Sequence, residues 1–214
     1  MGKFKNIDRK KPVADTISIE KIYSLSNEIK SPEYKMIYYI IYLTGARVSE
    51  ALRMFVRDIE FKELNDGKKI AVFDLITVKR KDHPRRKIPV LYYDPTNEHQ
   101  YLYERKMINY IKNYIEPKLD DEWIFKNRKY NRVTNYFRRH LQVHIRSIYK
   151  GNEMMIDYKI HPHYLRHCRI THMRTEYNFD VLDLKQFAGW TDISMTNIYL
   201  HAGYKNLVEK MIHE

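Results

Sequence analysis

His163 and Arg166 stand three residues apart in the run His161-Pro162-His163-Tyr164-Leu165-Arg166-His167. Proline suits the first position of a helix, where its missing N–H has no partner to lose. Pro162 therefore predicts a helix start, and a helix begun there puts both side chains on one face. One is an acid/base group that works near neutral pH. The other is a permanent cation whose planar fork fits phosphate. Leu165 and Ile170 point elsewhere and can anchor the helix in a core. The pair suits one substrate oxygen, and the rest of the chain must then supply more cation and a nucleophile.

Three further groups could complete such chemistry. Arg47 follows Gly45 at a helix start, with Glu50 one turn on. By itself this is a surface ion pair worth little. Held by the apolar helix before it, Arg47 could instead be a fixed cation oriented by Glu50. The run Lys79 to Lys87 carries six cations in nine residues. A solvated hairpin tip is the default for such a run. A tip lying over a phosphate backbone is the sharper reading, because neutralised phosphates release counterions. A lysine there, Lys81 or Lys79, could protonate a leaving alkoxide if nearby cations or desolvation lower its pKa. Tyr199 is one of 19 tyrosines, and alone it reads as packing. As part of the set it can be the nucleophile that covalent phosphoryl chemistry requires, with arginines favouring the phenolate.

Other chemistries fit less well. His163 and His167 are four apart, with Cys168 and His172 nearby, yet no acidic residue lies between His161 and Met173. No paired CxxC or HExxH pattern occurs, which disfavours structural zinc and a two-metal nuclease. The chain has no Gly-x-Ser-x-Gly elbow, and its 6 glycines form no phosphate-cradling loop. Cys168 cannot form an internal disulfide, so a reducing, cytoplasmic setting is expected. Placed between His167 and Arg169, it is either a reactive thiol or a small buried helix residue.

Composition narrows the partner. Hydrophobic residues make up 43% of the 214, which excludes a wholly disordered chain. Lys+Arg is 39 and Asp+Glu 27, and the excess of +12 favours a polyanion such as nucleic acid. No apolar run reaches membrane-spanning length, so no membrane partner is expected.

The elements that must position these residues follow from spacing. Residues 1–17 read as a basic tail or linker remnant. Ser18 predicts a helix cap before Ile19, Ile22, Leu25 and Ile29. Ser31-Pro32-Glu33 predicts a second start, and the helix through Met36 to Leu43 is apolar nearly all round, hence central. Strands are predicted at Val56 to Phe61, Ile70 to Val78 and Ile88 to Val90, with Asn65-Asp66-Gly67 as a turn and Pro89 marking an edge. The remainder reads as helical: Tyr101 to Ile115, a basic helix from Asn131 to Tyr149, the His163 helix, Val181 to Ala188, and short helices toward Tyr199 and from Lys205. The expected fold is α+β, mainly α-helical, with a small three-stranded antiparallel sheet. Arg80, Arg85 and Arg86 of the basic turn and Arg138 and Arg139 of the basic helix are the expected nucleic-acid contacts.

Taken in order, three stretches resemble the catalytic domain of the tyrosine recombinases, the phage integrase family with its Xer-type and archaeal members. Thr44-Gly45-Ala46-Arg47-Val48-Ser49-Glu50 resembles the first-arginine box, and His163-Tyr164-Leu165-Arg166-His167 the His-x-x-Arg-His box. Ala188-Gly189-Trp190-Thr191-Asp192 followed by Tyr199 resembles the final segment. The resemblance covers roughly residues 20 to 202 and implies a site-specific DNA recombinase. Arg47 and Arg166 would then grip the scissile phosphate, His163 would assist proton transfer, and Trp190 would donate its indole N–H or pack on the nucleophile. Tyr199 would form a 3′-phosphotyrosyl link. The general-acid lysine maps to Lys81, with Lys79 the fallback, although this turn lacks the family's glycines. Glu50 and His167 would support from behind. No metal and no cofactor are implied. The resemblance also implies double-stranded DNA as partner, a tetrameric synapse on it, and a location on nucleoid or viral DNA. Residues 18–201 would be the catalytic domain and 202–214 a segment exchanged between protomers. A type IB topoisomerase-like enzyme shares this chemistry, and a non-catalytic DNA-binding module is the alternative from another class.

Overall fold

The computed structural model describes residues 13–78, 82, 84–125, 129–149 and 152–192. Lys79, Arg80, Lys81 and Tyr199, with the helices expected near Tyr199 and Lys205, lie outside the described residues.

Helix α1 (Ile19–Leu25) starts where Ser18 predicts, its hydroxyl accepting from the Lys21 N–H at 3.2 Å. Helix α2 (Pro32–Thr44) is the axis of the core: every residue from Met36 to Thr44 is buried. Its tyrosines are tolerated inside because each hydroxyl finds a partner. Tyr38 donates to the Ile22 carbonyl at 2.8 Å, Tyr39 meets Ser26 at 2.7 Å, and Tyr42 meets Nδ1 of His172 at 2.8 Å. Gly45 ends α2 in the left-handed conformation, φ +60°, which glycine adopts without strain. The chain turns there into the short helix α3 (Val48–Ala51).

Strand β1 (Val13–Ala14) closes the segment read as a tail. Strands β2 (Ile59–Glu63), β3 (Lys69–Ile76) and β4 (Arg85–Tyr93) form the expected antiparallel sheet, in the order β2-β3-β4. Ala71, Phe73 and Leu75 of β3 and Ile88, Val90 and Tyr92 of β4 point into the core. Pro89 does lie on an edge strand, opposite Val72. Arg85, Arg86 and Lys87, read as turn, belong to β4. With period 2, Arg86 falls on the same face as Ile88 and Val90, so an inward charge heads an apolar row.

Helix α4 (Leu102–Ile115) covers this sheet and α2. Helix α5 (Tyr130–His140) corrects the sequence reading. The basic helix expected to Tyr149 stops at His140, and Gln142–Tyr149 is strand β5, paired with β6 (Asn152–Lys159). The signal was period 2: Val143 and Ile145 are buried while His144 and Arg146 are exposed. Strand β1 joins the other edge of β5, so a second three-stranded sheet exists where a tail and a helix were expected. Helices α6 (Pro162–Thr175) and α7 (Val181–Ala188) complete the described chain, with α6 lying against α2. No helix among the described residues is long and apolar enough to cross a membrane.

Gly45 gives a stability test. A Cβ there would stand 2.8 Å from Cε1 of Phe187, on top of the strain of a positive φ. Gly45→Ala should lower unfolding free energy by ~1–3 kcal/mol in urea titrations. Gly67→Ala, also at positive φ but with only Pro95 nearby at 3.4 Å, should lose less.

Candidate active site

Helix α6 starts on His161, whose Nδ1 accepts the Tyr164 N–H at 3.2 Å, and Pro162 takes the first helical turn. The N-cap ring lies parallel to that of His163, with centroids 6.5 Å apart. Burial, then His163 and Arg138, push the His161 pKa down to about 4. The ring is therefore neutral, and with Nδ1 accepting, its Nε2–H donates to the Tyr158 hydroxyl at 3.0 Å. Sequence reasoning gave His161 no role; it fixes both the helix start and the surface beside His163.

One turn on, Arg166 is 3% exposed. Its guanidinium donates to the Gly45 carbonyl that ends α2 and, at 2.7 Å, to the Ala188 carbonyl that ends α7. Both acceptors belong to helix C-termini, where unpaired carbonyls concentrate negative potential. Two helices thus aim their negative ends at one buried cation. Trp190, following the left-handed Gly189, places its ring centroid 6.0 Å from the Arg166 guanidinium carbon.

Arg47 is no surface ion pair. It caps α3, and Glu50 at the third helical position reaches back to its backbone N–H at 2.9 Å and to its guanidinium at 2.8 Å. Glu50 is 1% exposed and also accepts from Arg86 at 2.8 Å. Burial pushes its carboxyl pKa up, but the Arg86 and Arg47 bonds outweigh burial and hold it below the usual range. Arg47, His163 and Arg166 line one cleft of about 200 Å³ with Ala46, Val48, Ser49, Tyr130 and Pro162. The cleft brings together two guanidiniums and an imidazole on a surface otherwise poor in charge, a fit for a phosphate group.

The remaining expected residues divide. Arg138 and Arg139 are exposed in the last turn of α5. Arg85 is half-exposed and held by Asp58 and Asp74. Arg86 differs from the DNA-contact reading: its side chain is 9% exposed and its donors go to Glu50, Thr77 and the Phe187 carbonyl. Burial, then His163, keeps the pKa of His167 below its ordinary value. Cys168 is fully buried, and burial pushes its thiol up to about 11, so the reading of a small buried helix residue fits and a reactive thiolate does not.

The family model described as the phage integrase family matches residues 15–206. Among curated relatives, the tyrosine recombinase XerC of Oceanobacillus iheyensis is 26% identical over 194 residues, covering 89% of this chain and 57% of that protein. The tyrosine recombinase XerA of Pyrococcus furiosus is 26% identical over 182 residues, covering 82% and 52%. The chain thus spans little more than half the length of these relatives. In fold it is similar to XerH site-specific recombinase bound to difH substrate in a pre-cleavage complex, with TM-score 0.61, 18% identity and coverage of 99% and 57%. A crystal structure of XerA recombinase gives TM-score 0.60 at 15% identity, covering 92% and 65%.

The buried histidines of α6 set a pH dependence. His172, 4% exposed, has its pKa pushed down to about 4 by burial and then Arg169, and His161 is likewise held near 4. Between pH 6.5 and 4 the unfolded chain takes up protons that the folded chain refuses, so stability falls as pH falls. For the buried His172 the slope should approach ~1.4 kcal/mol per pH unit. Melting curves from pH 7 to 4 should show it, and His172→Asn, which keeps an acceptor for Tyr42, should make it shallower, leaving the His161 contribution.

Proposed function

The chain belongs to the phage integrase family, and from that premise we propose that it cleaves and rejoins double-stranded DNA at specific sites through a 3′-phosphotyrosyl intermediate. The observation that carries this reading is the single cleft lined by Arg47, His163 and Arg166. Its two guanidiniums suit the non-bridging oxygens of one phosphodiester, and their charge complements the negative charge that grows on those oxygens as a fifth bond forms. His163 moves the proton of the attacking phenol. Tyr199 supplies that phenol. Its oxygen bonds to phosphorus, the bond to the 5′-oxygen breaks, and Lys81 of the β3–β4 turn gives that oxygen a proton.

Rejoining is the reverse. A 5′-hydroxyl attacks the phosphotyrosine, so bond energy is conserved and neither metal nor nucleotide is required. Trp190, beside Arg166, packs against the nucleophile or donates its indole N–H. The exposed Arg138 and Arg139, with Arg80 and the half-exposed Arg85, follow the DNA backbone. Residues 18–201 form the catalytic domain, and 202–214 pass between protomers in a synapse of four copies on two DNA sites, wherever nucleoid or viral DNA holds them.

A library of nicked suicide duplexes tests the reading, since the short strand beyond the nick diffuses away and leaves the protein covalently attached. The wild-type chain should capture a defined subset of duplexes. Tyr199→Phe should bind the same duplexes and capture none, and Arg47→Ala should slow capture by about 10²-fold or more. Capture by Tyr199→Phe would remove Tyr199 from its role. Relaxation of supercoiled plasmid without site preference would point to topoisomerase action instead.

A further inference from the structure

Arg86 lies on an edge strand of a basic protein, yet it faces inward. It is the first inward residue of the row that continues with Ile88, Val90 and Tyr92. Its guanidinium joins three parts of the site. It reaches Glu50 at 2.8 Å, Thr77 at the start of the β3–β4 turn at 3.0 Å, and the Phe187 carbonyl in the last turn of α7 at 3.3 Å. The backbone after α7 is shaped around it: a Cβ on Gly189 would stand 3.0 Å from Nη1 and 3.1 Å from Cζ of Arg86. Arg86, Gly189, Trp190 and Thr77 also line a cavity of about 260 Å³.

We propose that Arg86 is a positioning residue for DNA cleavage: by sharing buried Glu50 with Arg47, it keeps the Arg47 guanidinium available to the scissile phosphate. The inference rests on the phosphodiester reading above. Charge counting gives the reason. Arg47, Arg86 and Glu50 together carry a net charge of +1, which acts on the cleft at short range in a desolvated setting. Without Arg86 the net charge is zero, and Glu50 and Arg47 form a closed pair that competes with phosphate for the guanidinium. The charged groups facing Glu50 are Arg47 from its own helix and Arg86 from β4; the Thr77 hydroxyl and Phe187 carbonyl around Arg86 are neutral. Arg86 also ties Thr77, just past the end of β3, to the last turn of α7, the helix that precedes Trp190.

Single-turnover cleavage of a captured duplex, followed across pH, tests this. Wild type, Arg86→Met, Glu50→Gln, the double variant and Arg86→Lys are compared, with rates corrected for folded fraction from melting curves. Arg86→Met should cleave on the order of 10²-fold more slowly, as expected for a misplaced reacting group, with DNA affinity little changed. Relative to wild type its rate should recover along an acid limb, because a Glu50 deprived of Arg86 takes up a proton more readily and, once neutral, releases Arg47 to the phosphate. Adding Glu50→Gln should remove that acid limb, and the double variant should be no slower than the slower single. Arg86→Lys should recover part of the rate. The inference is overturned if Arg86→Met cleaves at the wild-type rate per folded molecule, if the two losses multiply, or if the acid limb survives in the double variant. A wild-type chain that captures no duplex would instead remove the phosphodiester reading and this inference with it.

Discussion

A cation taken out of water must be compensated where it sits, or the fold does not hold it. Arg166 is the strictest case in this chain. At 3% exposure it depends on the carbonyls of Gly45 and Ala188, the C-terminal ends of α2 and α7. Those carbonyls are orphans of helix termination and need donors of their own. The requirement runs both ways, so the relative placement of α2, α6 and α7 and the direction of one guanidinium are a single structural fact. Gly45 makes it feasible, since its left-handed backbone ends α2 beneath Phe187 with no room for a Cβ. Glu50 repeats the arrangement with the sign reversed, as one buried carboxylate between Arg47 and Arg86. A clamp built this way is set before substrate arrives, which is where electrostatic catalysis gains most.

Helix α6 carries more polar side chains than a helix at the centre of a core should tolerate. Each turn resolves this against a different neighbour. Arg166 faces the ends of α2 and α7. Three residues on, Arg169 meets Glu104 of α4 at 3.2 Å, and Tyr177 donates to the same carboxylate. His172 meets Tyr42 of α2 at 2.8 Å. Networks of this kind fix a helix more specifically than apolar packing alone, because rotation by one residue would strand its buried polar groups. The face left for the cleft is the first turn, where His163 is exposed.

Much of the site was legible from local signals. Pro162, the Gly45 stop, the apolar run of α2, and the spacing of His163 and Arg166 each depend on neighbours in sequence, and the structure places them accordingly. The partners of Arg166 were not legible, because backbone carbonyls leave no mark in a sequence. The second sheet was missed for a different reason. Basic residues between Gln142 and Tyr149 drew the eye to charge, while the alternation of Val143 and Ile145 with His144 and Arg146 carried the strand signal. Arg86 was missed in the same way. Counted as one cation among six, it read as a turn, although its period with Ile88 and Val90 pointed it inward. In a basic protein, the informative cations are those that fall in step with the apolar residues.

The most direct test of the phosphate clamp is a crystal structure of the chain bound to a captured duplex. The expected result places the scissile phosphate in the cleft bounded by Ala46, Tyr130 and His163, its non-bridging oxygens within hydrogen-bond distance of both Arg47 and Arg166. A scissile phosphate seated elsewhere, or one reached by neither guanidinium, would contradict it.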